Sequence, residues 1–297
     1  MNRTQLQAAY TVFREDGLRS LFRTVVRNTG LFNGEILYRK LKLRIRHGDA
    51  AAHPYSILDV DPAQIRFWAP NHNKFHLPER GFELAKHEEF DVSLWDYAGE
   101  TIAGAWDKRE NVHLLEETPK YQGLSEHFVE GVPWEQTTLF EILLELIDEY
   151  GTHDGCQNRD ELERRYQTIE TLYRNLKREG YRSQRELHAG SGVSKTIVDE
   201  IGVGIGRKGE IRFIGSGWHR LCLAKIIGLE SVKVRVVCRH SRWQDRRAEI
   251  VDADEIDQLR PGTRAQTSHP DLADITPQEW QNTGGQHPTH PKSSTQH

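Results

Sequence analysis

At 297 residues the chain is long enough for one large domain or two ordinary ones with a proper buried core. Its 36% hydrophobic and 28% charged content belong to a water-soluble globular protein, while a mean hydropathy of -0.70 implies that part of the chain is not packed. The net charge of -4 argues against a generally basic, DNA-coating protein, though not against a local basic face, because binding depends on where charge sits. Cys156, Cys222 and Cys238 are odd in number and lack CxxC spacing, which reads as free, mostly buried thiols in a reducing compartment. No apolar run approaches the ~20 residues needed to span a bilayer. Arg14, Arg19, Arg23 and Arg27 interrupt every apolar stretch of the N-terminus, so no signal-peptide core is expected. The expected location is cytoplasmic, with peripheral attachment at the inner face of the membrane as a further option.

Residues 1–49 read as a basic amphipathic helical segment. Leu6, Tyr10, Phe13, Leu21 and Val25 recur at helical spacing, and a second basic patch at Arg39, Lys40, Lys42, Arg44 and Arg46 alternates with Leu41, Leu43 and Ile45. Such a segment either lies on an anionic membrane surface through residues 1–48 or packs on the main domain with a solvated basic face.

Residues 55–248 read as the folded body. A strand near Ile57 and Leu58 runs into a Pro62 loop, and residues 68–137 are expected to be a loop-rich insertion holding a lid or pocket. Trp68, Trp95, Trp106 and Trp134 fall in that stretch, either as aromatic core or as stacking platforms for a sugar or base. An apolar stripe of Leu139, Ile142, Leu143, Leu146 and Ile147 predicts a helix from Thr138 to Tyr150. A second helix is predicted over 160–179, with Leu162, Tyr166, Ile169, Leu172, Tyr173 and Leu176 on one face and Gly180 ending it.

A β-branched run to Ile205, a turn at Arg207-Lys208-Gly209 and a resumption to Ile214 predict a hairpin. Gly215-Ser216-Gly217 follows, then a helix from Trp218 that Gly228 terminates, then a half-buried strand alternating Val232, Val234 and Val236 with Lys233 and Arg235. A glycine-rich turn between strand and helix presents unpaired backbone N–H groups and the positive end of the helix dipole, which suits an anion. The candidate phosphate-binding residues are Gly215, Ser216, Gly217, Trp218, His219 and Arg220. Read without function, the same turn is an ordinary loop before a core helix. Polar residues from 245 to 259 predict one short helix, and residues 260–297, opened by Pro261-Gly262, are expected to be largely disordered. His287, His290 and His297 in that tail have nothing to fix a metal geometry, so no metal site is expected.

Gly217-Trp218-His219-Arg220, followed by Ala224-Lys225, Gly228-Leu229 and the strand of residues 232–237, resembles the ParB/sulfiredoxin-like (ParB N-terminal-like) family over about forty residues. The resemblance implies an α/β (α+β) fold with a mixed sheet, in which the turn and its arginine bind nucleotide phosphates. Family activities include CTP binding and hydrolysis, ATP-dependent sulfinic-acid repair, free-serine kinases and a proposed nuclease. Trp218 stands where sulfiredoxins carry their nucleophilic cysteine, which removes the repair chemistry. No helix-turn-helix is visible after Val237, unlike the partition proteins. The expectation is therefore a nucleotide-binding protein (ATP, ADP or CTP with Mg2+), either a phosphotransferase or an NTP hydrolase acting on an unidentified small molecule. A DNA-binding ParB-like protein or nuclease, with nucleic acid as the partner, is the alternative. Phosphoryl transfer would also need a carboxylate, for which Glu126, Glu130 and Glu135 are weak candidates, with Asp59 and Asp61 behind them. Lys195, Lys208, Arg239 and His240 are further cations that could approach phosphate.

Overall fold

The computed structural model describes residues 32–69, 98–188 and 199–281. Within them the fold is mixed α/β, an open seven-stranded sheet with nine α-helices among the described residues. The strands are β1 (Ile57–Val60), β2 (Phe67–Trp68), β3 (Glu100–Ile102), β4 (His113–Leu114), β5 (Ile201–Ile205), β6 (Ile211–Phe213) and β7 (Val232–His240). Their order is β1-β7-β5-β6-β2-β4, with β3 alongside the far end of β7. β5 and β6 form the expected antiparallel hairpin, whereas β5 runs parallel to β7.

The alternation Ile-Gly-Val-Gly-Ile in β5 explains how this central strand packs. Ile201, Val203 and Ile205 are wholly buried in the main core. A Cβ on Gly204 would lie 2.4 Å from Ile214 Cδ1 and 2.9 Å from the Trp106 ring, so only glycine admits the smaller cluster of Ala69, Trp106, Val112, Ile214 and Cys238. Small and β-branched residues therefore build two unlike cores around one strand.

The main core is closed by α2 (Pro119–Phe128), α3 (Thr138–Tyr150), α4 (Arg159–Glu179) and α6 (Trp218–Ile227). The α3 helix has the expected bounds, capped by the Thr137 hydroxyl, which accepts from the Phe140 N–H, and ended by a left-handed Gly151. The α4 helix begins one residue earlier than expected, with the Asn158 side chain accepting from the Glu161 N–H. A single turn, α5 (Gln184–Leu187), follows with a Ser183–Glu186 capping box.

Two expectations are corrected. Of the 68–137 stretch, the described part is rich in turns around β3, β4 and α2, but it is not set apart from the body. β3 pairs with β7 in parallel, and α2 packs between α3 and α6, so this segment is built into the sheet and the core. Trp68, Trp106 and Trp134 are all buried there; Trp95 lies outside the described residues.

The second correction concerns the chain beyond residue 260. After α7 (Ser241–Asp252) come α8 (Pro261–Arg264) and α9 (Gln278–Gln281), with Leu272 and Trp280 buried. Asp271 is buried and receives a bidentate pair from Arg239, Nε at 2.8 Å and Nη2 at 2.5 Å, and the Trp243 Nε1–H at 2.9 Å. Arg247, also buried, donates to Asp274 at 2.7 Å and to the Ala50 carbonyl at 3.0 Å. Residues 261–281 are thus pinned to the body by buried charge together with the apolar anchors Leu272 and Trp280. Residues 282–297, including the three tail histidines, lie outside the described residues.

At the other end, α1 (Phe32–His47) forms from the second basic patch, and residues 1–31 lie outside the described residues. No helix among the described residues is long and apolar enough to cross a membrane.

Candidate functional site

β5, the 215–217 turn and α6 are tied together before any ligand is considered. The Gly202 N–H donates to the Ser216 carbonyl at 3.0 Å, and the Ser216 hydroxyl donates to the Glu200 carbonyl at 2.8 Å. Gly217 takes the left-handed conformation (φ 82°) that starts α6; Gly215 does not use positive φ. No side chain caps α6, so the first-turn N–H groups are available to an acceptor in front of the helix.

In front of them lies a cleft of about 460 Å³. Its walls include Lys120 from α2, His153 and Asp154 from a turn, Arg165 and Leu172 from α4, and residues 215–220. All six candidate phosphate-binding residues therefore line one cavity. Lys120 Nζ is 2.9 Å from Asp154 Oδ2, and Arg165 Nη2 is 3.3 Å from the same oxygen. Burial works against ionisation of Asp154, but Lys120, Arg165 and the hydrogen bond from Lys120 outweigh it and hold the carboxyl well below its usual range. The Lys120 ammonium also sits 5.5 Å from the Trp218 ring centroid, in cation–π range.

Arg220 is partly committed elsewhere. It donates to the Asp199 carbonyl and, at 3.4 Å, to the Tyr181 hydroxyl, with Glu200 Oε2 at 3.6 Å. Glu200 in turn accepts from the Tyr181 hydroxyl at 2.7 Å and the Gln184 N–H at 2.6 Å; burial still pushes its carboxyl up. Arg220 thus fixes the start of α6 to β5 while lining the cleft.

His219 is held well below its ordinary pKa, first by burial and then by Lys120, against the pull of Asp154. A depressed histidine contributes stability above its unfolded pKa of ~6.5 and loses it as pH falls toward the folded value. Stability should therefore decline below about pH 6.5 by up to ~1.4 kcal/mol per pH unit per proton, and His219→Gln should remove one proton from that slope. Urea titrations of both proteins across this window check it, and parallel curves would refute it.

The other sequence candidates lie apart from the cleft. Glu126 accepts from the Thr138 N–H at 2.7 Å and hydroxyl at 2.8 Å and so caps α3; Glu130 and Glu135 are exposed. Asp59 pairs with Lys233, and Asp61 caps the turn at residues 62–64. Lys208 is exposed on the hairpin turn, Arg239 serves Asp271, and the His240 ring caps α7; Lys195 lies outside the described residues. Lys225, part of the quoted family pattern, donates to the carbonyls of Pro62 and Ile65 at 3.1 Å, a structural tie. The Cys222 thiol is buried and pushed up to about 12 by that burial, so it is no accessible nucleophile.

The residues sequence reasoning missed are Lys120, Asp154 and Arg165. Asp154-Gly155 is a dipeptide of turn type, and Asp154 does adopt φ 52°, which was the one local signal. The described residues hold no group of three His, Cys, Asp or Glu side chains able to bind a metal. The one carboxylate in the cleft wall is already neutralised by two cations, which is the wrong donor set for Mg2+. No family model, curated protein or solved structure matches the chain.

Proposed function

We propose that this cleft binds the phosphates of a nucleotide such as ATP, ADP or CTP. The observation that carries the reading is convergence: the uncapped N-terminus of α6, Lys120, Arg165 and Arg220 face one cavity. Backbone N–H groups would orient a phosphate, and Arg165 would exchange its exposed contact with Asp154 for a bidentate one to phosphate oxygens. Neutral His219 would donate one hydrogen bond without carrying charge. A cavity of about 460 Å³ is in the range used for small-molecule sites, and Trp218 offers an aromatic wall. The strand–turn–helix–strand path through β6, α6 and β7 supports the ParB/sulfiredoxin-like reading of residues 198–239.

With no fitting Mg2+ ligands and none of Glu126, Glu130 or Glu135 at the cleft, the reading stops at binding and assigns no phosphoryl-transfer step. ATP, ADP and CTP, each with and without Mg2+, should be screened by thermal shift. A nucleotide at about a hundred times its Kd adds ~2.7 kcal/mol, a rise of several degrees. Arg165→Ala should abolish the rise; because it also takes one of the two cations from Asp154, the rise is read against that variant's own unliganded melting temperature. No rise with any nucleotide would reject the reading; a rise preserved in Arg165→Ala would place binding elsewhere.

A further inference from the structure

We propose that the outward face of α1 is a docking surface for anionic lipid. The helix advances roughly 100° per residue, so Leu37, Leu41 and Ile45 form one line and Tyr38 lies beside it. These four are 69%, 59%, 78% and 67% exposed, in the order Leu37, Leu41, Ile45, Tyr38, whereas Leu43 on the opposite side is 3% exposed. A helix docked on a protein normally turns its apolar side inward. Here Glu100, the first residue of β3, takes Lys42 Nζ at 2.5 Å and Arg46 Nη1 at 3.3 Å. That clamp fixes the rotation with Lys42 and Arg46 at the protein surface and the apolar line toward solvent.

The charges around the line select its occupant. Lys40 and Arg44 run along one edge, Lys42 and Arg46 along the other. Ten of the forty Lys and Arg residues, but three of the forty-four Asp and Glu, precede Gly48, so this end is strongly positive on a chain of net charge -4. A second copy of the chain would bring an equally basic rim against this one. Residues 1–31, with Arg3, Arg14, Arg19, Arg23 and Arg27 against Glu15 and Asp16, carry the same sign. Nucleic acid would meet the cations but leave four large apolar side chains against its phosphates. An anionic bilayer satisfies both features: acyl chains take Leu37, Leu41 and Ile45, Tyr38 sits at the interface, and Lys40 and Arg44, on the edge away from Glu100, reach the headgroups. The α1 helix would lie in the membrane plane with the sheet on its cytosol-facing side.

The test is flotation of the full chain with vesicles of equal parts phosphatidylserine and phosphatidylcholine, beside phosphatidylcholine alone. Binding to the anionic vesicles is expected, weakened by added salt. Leu41→Ser/Ile45→Ser should reduce the partition coefficient by about tenfold or more at an unchanged melting temperature, since both side chains are already exposed. The proposal fails if the wild type stays with the soluble fraction, or if the double variant floats equally well. It also fails if the two substitutions instead dissolve a dimer or abolish binding to duplex DNA.

Discussion

Asp271→Ala should destabilise the protein by about 3–5 kcal/mol, the cost of breaking a buried ion pair from one side. The carboxylate is 3% exposed as a residue and answers two buried guanidiniums, Arg239 directly and Arg247 at 3.8 Å. Removing it strands Arg239 without its bidentate acceptor and leaves the Trp243 N–H unpaired in the core. The urea midpoint should fall sharply at an unchanged m-value, whereas Asp59→Ala, which removes a surface pair to Lys233, should cost less than about 1 kcal/mol. A small effect of Asp271→Ala would mean that residues 261–281 are peripheral. The pair also responds to acid. Burial opposes ionisation of Asp271, but Arg239 and its hydrogen bonds prevail and lower its pKa. A lowered carboxyl gives stability present above its unfolded pKa near 4 and lost as pH falls through the folded value, a window below that of His219.

That same segment shows why sequence reading stopped at residue 260. Between Pro261 and Gln281 the buried apolar anchors are Leu272 and Trp280; the rest of the attachment includes Thr263 on Glu249, His269 on the Gly209 carbonyl, Asp271 on Arg239 and Asp274 on Arg247. A periodicity argument counts apolar residues and cannot register a buried Asp whose arginines are 24 and 32 positions away. Helices α3, α4 and α6 were legible because each is declared locally, by an apolar stripe and a glycine at its end; the hairpin shows in its glycine turn and β7 in its alternating valines, although β7 is buried almost throughout, Arg235 included, rather than half-buried. The cleft was half legible for a related reason. Residues 215–220 announce a turn before a helix, while Lys120, Asp154 and Arg165 come from three distant segments that only the fold assembles. α1 was legible as amphipathic and basic, but which side faces the protein depends on Glu100, more than fifty residues away.

Gly217→Ala should cost about 2–4 kcal/mol, the sum of a left-handed backbone penalty and overpacking. At φ 82° an alanine loses the conformational freedom that glycine supplies, and its Cβ would lie 2.9 Å from Ile201 Cγ1 and 3.0 Å from Ile201 Cα. The second contact is backbone of the central strand β5, which cannot rotate away as a side chain could. Gly228, at the other end of α6, provides the control. It is also left-handed (φ 77°), but nothing lies within 4 Å of a Cβ there, so Gly228→Ala should cost only about 1 kcal/mol. The difference between the two variants measures crowding at the turn separately from backbone strain. In Gly217→Ala the clash is relieved by withdrawal of the 215–217 turn from β5, which would carry the N–H groups of α6 away from the cleft. Nucleotide stabilisation should then vanish in Gly217→Ala and survive in Gly228→Ala, a pairing that ties the phosphate reading to one end of one helix. Equal losses in both variants would show that α6 matters only as a core element.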